Sequence, residues 1–133
     1  MMNADTLARI RILAFGLAGL ICIAYSLMAV ASNTPNPISV WLPGVSGFLA
    51  ALVMWASSWL AGRRAADIAH DELYKLEWGR AIKFSYWFAI ALYPLFGLFM
   101  FLGWISSTTA FAAMGTATGA APLLSFCFIN LRG

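Results

Sequence analysis

The sequence predicts an all-α membrane protein: a bundle of four transmembrane helices built from two hairpins, with both termini on the cytoplasmic side. Three observations predict it. Hydrophobic residues make up 62% of the 133 residues and charged residues 10%, against roughly 45–50% and 25% in soluble domains, so a water-facing surface cannot be covered. Every Lys, Arg, Asp and Glu lies outside four windows, residues 12–31, 40–61, 84–105 and 109–131. All eight basic residues then fall on one side of the topology. This composition excludes a soluble enzyme, and the wealth of aromatic and branched aliphatic residues excludes intrinsic disorder.

The windows run 20, 22, 22 and 23 residues, so at about 1.5 Å per residue each reaches across a hydrocarbon core of roughly 30 Å. Backbone groups in lipid must be satisfied within the segment, which makes each window a helix. Barrel strands would be about ten residues long and strictly alternating, and no such alternation occurs.

Arg9 and Arg11 precede the first span. These two bases, the apolar run and Ala29-Val30-Ala31 before Ser32 also match the three parts of a secretory signal. Cleavage there would leave three spans in the same orientation. The length of the run and the small residues Gly16 and Gly19 favour a retained helix. Residues 32–39 form a polar turn containing Pro35 and Pro37, which cannot continue a helix. The second span, 40–61, is bounded by Trp41 and Trp59, interfacial residues as expected of an aromatic belt.

Residues 62–83 hold Arg63, Arg64, Lys75, Arg80 and Lys83, which the positive-inside rule assigns to the cytoplasm. From Asp67 onward the segment reads as an amphipathic interfacial helix fused to the third span. Its acids come early and its bases late, an order that complements a helix dipole. Asp71 with Lys75, and Glu77 with Arg80, have helical pair spacing. Leu73, Leu76, Trp78 and Ile82 add apolar area suited to headgroups or to another protein. Asp71, Glu72, Lys75, Trp78 and Arg80 are therefore the candidate docking residues, with a solvated stalk anchored by its bases as the alternative.

The third span, 84–105, contains Pro94 near its middle, and the fourth, 109–131, contains Pro122. Each proline removes a helical hydrogen bond and predicts a kink. The freed carbonyls, together with Tyr93, Thr116, Thr118 and Ser125, would line a path if one existed. Gly115 and Gly119 form a Gly-x-x-x-Gly pair that predicts close helix packing, within the bundle or across a homodimer.

Asp71-Glu72-Leu73, Lys75, Arg80-Ala81 and Ser85-Tyr86-Trp87, with the C-terminal Ala121-Pro122-Leu123-Leu124 and Arg132-Gly133, resemble a pattern in small uncharacterised bacterial membrane proteins. The resemblance covers the second half of the chain. It implies a bacterial inner-membrane protein and lends no catalytic residues.

Chemistry-bearing motifs are sparse. His70 is the single histidine, and Cys22 and Cys127 lie at mismatched depths within two spans, so neither a metal site nor a disulfide is expected. There is no nucleophile elbow and no phosphate-binding loop. No carboxylate lies within a span, which argues against a proton-coupled cation exporter despite the similar size. The net charge of +3 follows from topology, and nucleic-acid binding is not implied. The expectation is a non-enzymatic accessory subunit with no cofactor, embedded in the lipid bilayer and docking a protein partner through residues 62–83. The alternative is a small passive channel or carrier, acting as a homodimer.

Overall fold

The computed structural model describes residues 2–132, and all regular structure among them is helical. Five helices follow one another: α1 (Ala4–Ser32), α2 (Trp41–Ala61), α3 (Arg63–Ala69), α4 (Glu72–Phe101) and α5 (Ser107–Arg132). All but α3 are long and apolar enough to cross a membrane. The chain is a multi-pass membrane protein by that measure.

Local chemistry sets the helix boundaries. Asn3 caps α1, its Oδ1 accepting from the Thr6 amide at 2.8 Å. Asn33 ends the same helix in the left-handed region, with φ 49°, a conformation that asparagine tolerates better than other residues with a Cβ. Its side chain then accepts from the Ser106 amide at 2.9 Å, joining the two uncharged loops. The Tyr25 hydroxyl donates to the Pro35 carbonyl at 3.0 Å, folding the first of those loops back on α1. Gly62 separates α2 from α3 at φ 81°. α4 ends at Phe101, four residues before the predicted limit of the third span, because Gly103 turns the chain at φ 73°. Trp104 therefore sits in the turn. Pro94 and Pro122 are accommodated inside continuous helices.

The helices do not close into a ring. α1 packs on α2 and α5, and α4 packs on α5, while α2 and α4 have no substantial contact. The order across the molecule is α2–α1–α5–α4, with α1 and α5 in the middle. Between that central pair small residues let the backbones approach. A Cβ on Gly19 would come within 2.8 Å of Leu124 Cγ, and one on Gly16 within 3.8 Å of Cys127 Sγ. Ser26 Oγ donates to the Ala113 carbonyl across the same seam at 2.8 Å. Without a hydrophobic force between helices in lipid, such contacts supply the association.

The Gly115–Gly119 pair does not serve this seam. Both glycines are exposed, and an added Cβ on either would meet nothing within 4 Å. The internal face of α5 is carried instead by Ala113, Ala117, Ala120 and Ala121, all buried. Sequence alone puts these two faces of α5 on equal terms, since both are lined by small residues.

Candidate functional site

The region that carries the predicted docking residues is an elbow, not one fused helix. α3 stops at Ala69, and His70 leaves helical geometry with ψ 38°. Asp71 is extended and caps α4, its Oδ1 accepting from the Tyr74 amide at 3.0 Å. Competition for the backbone by an aspartate carboxylate is what favours such a break. From Glu72 the 30 residues of α4 run without interruption. At about 1.5 Å per residue that is roughly 45 Å, some 15 Å more than a hydrocarbon core. The first turns of α4 therefore continue the axis of the third span beyond its apolar stretch.

A buried arginine holds the elbow. Arg11, on α1, is 5% exposed. Its Nη1 donates to the Ala69 carbonyl at 2.9 Å, closing the C-terminal end of α3. The guanidinium carbon lies 4.1 Å from the centroid of the Tyr74 ring and 5.6 Å from that of Phe126. Among the described residues no carboxylate lies within ion-pair distance of Arg11, and its Nε has no hydrogen-bond partner. The positive charge is offset by π faces and one carbonyl, an arrangement suited to a weakly hydrated, planar cation and not to lysine.

Phe126 of α5, with no exposed surface, is the hub of this end. Trp78 meets it edge-on at 5.0 Å and Tyr74 at 5.6 Å. Phe15 of α1 meets it at 5.9 Å and stacks on Trp78 at 5.7 Å. Below the hub Asn130 Nδ2 donates to Glu77 Oε2 at 2.7 Å. His70 faces Tyr74 edge-on at 4.9 Å, and its Nδ1 lies 2.7 Å from the Ala66 carbonyl. One aromatic cluster thus ties α1, α4 and α5 to the elbow.

The candidate docking residues separate into two groups. Asp71 spends its carboxylate on the helix cap, and Trp78 is half-buried in the aromatic cluster, so much of its indole is turned inward. Glu72, Lys75 and Arg80 are exposed, together with Leu73 and Leu76 at 60% each. The predicted pairings also shift. Lys75 Nζ lies 3.5 Å from Glu72 instead of Asp71, and Glu77 engages Asn130 instead of Arg80.

Arg11 is the functional residue not apparent from the sequence, where it reads only as a base flanking the first span. A signal for it exists. Leu7, Arg11, Ala18, Cys22, Tyr25 and Ala29 are the buried positions of α1 together with Gly19 and Ser26, and their three-, four- and seven-residue spacing is that of a packing seam. An arginine in register with a small-residue seam is out of place as a mere topological flank.

An open groove of about 560 Å³ lies between α4 and α5, running from the turn that joins them toward the middle of both helices. Tyr93, Phe111, Met114, Gly115 and Thr118 line it, which brings together part of the polar set expected of a path. Thr116 is not part of it, and its hydroxyl bonds back to the Ala112 carbonyl at 2.9 Å. Cys22 and Cys127 are free and buried.

No protein-family model, curated protein or solved structure is matched by this chain.

Proposed function

We propose that this protein is a non-enzymatic accessory subunit of a bacterial inner membrane, docking a protein partner through the outward face of the elbow. In this reading both termini and the elbow are cytoplasmic, α1 with α2 and α4 with α5 forming two hairpins. The placement of every base at the elbow end supports that orientation. One observation carries the docking: the elbow is fixed from inside by Arg11 and Trp78 and held at its bend by the Asp71 cap, yet its outward side presents Leu73 and Leu76 between exposed charges. A preorganised surface binds without the entropic cost of ordering it.

The test is a pull-down of the tagged chain from native membranes in mild detergent. A stoichiometric partner is expected, and Glu72→Lys combined with Leu76→Ser should release it. Retention of the partner by that variant would remove the elbow from the interface.

A second reading, a homodimeric passive channel or carrier, draws on the groove of Tyr93, Gly115 and Thr118. The open helix order supports it only with a second copy, because one chain encloses no pore. Recovery of a homo-oligomer with no partner would favour this reading, and flux into liposomes lost on Tyr93→Phe with Thr118→Val would establish it.

A further inference from the structure

We propose that the elbow end of the α4–α5 seam holds an anionic phospholipid, with an acyl chain in an apolar groove and the headgroup phosphate on Arg80 and Arg132. The groove, about 400 Å³, is lined by Phe84 of α4 and by Leu124, Ser125, Phe128 and Ile129 of α5. It lies where both helices leave their uncharged windows, at the depth at which an acyl chain meets its headgroup.

Both walls end in a base one turn further on. Arg80 precedes Phe84 by four residues and Arg132 follows Phe128 by four, so on each helix the cation shares the face of a groove-lining ring. The Arg132 guanidinium carbon lies 5.2 Å from the Phe128 ring centroid, over the groove wall itself. Both arginines are exposed, and among the described residues neither has a carboxylate within 4.0 Å. Glu77, the acid three residues before Arg80, is engaged by Asn130 at 2.7 Å. Within the groove Ser125 makes no hydrogen bond among the described residues, which leaves its hydroxyl free to donate to an ester carbonyl.

The chemistry suits a phosphate monoanion with a hydrocarbon tail. Arginine forks match phosphate oxygens in two-point contacts. The aromatic and aliphatic walls take the tail. A zwitterionic lipid would set its own cation against the two guanidinium groups, so the site selects against phosphatidylcholine. The inference does not depend on the partner proposed for the elbow, which is tested at Glu72 and Leu76 and not at Arg132 or Ser125.

The experiment reconstitutes the full chain in vesicles of equimolar phosphatidylglycerol and phosphatidylcholine, extracts it in mild detergent, and quantifies the lipid retained by mass spectrometry. Phosphatidylglycerol is expected in excess. Each of the two bases on the phosphate contributes about fivefold in affinity, so Arg80→Gln with Arg132→Gln should reduce the preference by about twenty-fivefold. Arg63→Gln with Arg64→Gln removes the same charge from α3 and should leave the preference nearly unchanged. Ser125→Phe, which fills the groove at constant charge, should lower retention as well. Equal loss in the α3 variant would show general surface electrostatics and overturn the site. So would undiminished retention in Ser125→Phe, equal retention of both lipids, or a dimer that excludes lipid from the groove. Should the double variant elute as aggregate, Arg132→Gln alone carries the test, since that exposed residue at the end of α5 supports no buried contact.

Discussion

Replacing Gly19 by alanine probes the central seam directly. In α1 this position faces α5 so closely that the new Cβ would lie 2.8 Å from Leu124 Cγ, 2.9 Å from Leu124 Cδ2 and 3.3 Å from Leu123 Cβ. The first two contacts could relax by a rotamer change of Leu124. The third is to a Cβ anchored to the backbone, so the helices themselves must separate. Overpacking of this kind costs about 1–3 kcal/mol, while the intrinsic helix preference of alanine over glycine returns at most about 1 kcal/mol. A net destabilisation of about 1–2 kcal/mol is expected. Gly115→Ala and Gly119→Ala serve as controls, because their added methyl groups meet nothing within 4 Å. They should be neutral or slightly stabilising. The assay is unfolding in mixed micelles with increasing sodium dodecyl sulfate, followed by far-ultraviolet circular dichroism and by near-ultraviolet tertiary signal. If Gly19→Ala matches the wild type while Gly115→Ala loses stability, the faces of α5 have been assigned the wrong way round, and the α2–α1–α5–α4 order falls with them.

Further perturbations address the elbow and the loops. Phe126→Ala removes the ring on which Phe15, Tyr74 and Trp78 converge and should cost about 3–5 kcal/mol, read in the same unfolding assay. Arg11→Met keeps the length and apolar contact of the side chain but leaves the Ala69 carbonyl without its donor. Hydrogen exchange should accelerate across residues 66–74 with little change in the spans; unchanged exchange there would deny Arg11 its role at the elbow. Asp71→Ala deletes the cap on α4, a loss of about 1 kcal/mol, detectable as fraying of the first turn by the same exchange measurement. Asn33→Gly preserves the left-handed backbone but cuts the tie to Ser106, whereas Asn33→Ala loses both. Thermal unfolding in detergent should therefore rank alanine below glycine at this position.

Span number and helical class were legible in the sequence because they depend on local quantities. A charge in hydrocarbon is costly wherever its helix packs, so the uncharged windows had to be the helical crossings. Cap residues such as Asn3 and Asp71 are likewise local, although only the folded chain showed that Asp71 divides the elbow. Which face of each helix meets a neighbour is another matter. In water an apolar stripe marks the buried side, but lipid tails are as apolar as leucine, and a helix that is apolar all round carries no such mark. Gly19 packs and Gly115 does not, though both are small residues in apolar surroundings. Arg11 and Arg9 are two residues apart in a basic flank, yet one is buried on Ala69, Tyr74 and Phe126 while the other is exposed. That difference arises from a carbonyl 58 positions away and rings as far as 115 positions away, brought to Arg11 only by the tertiary fold.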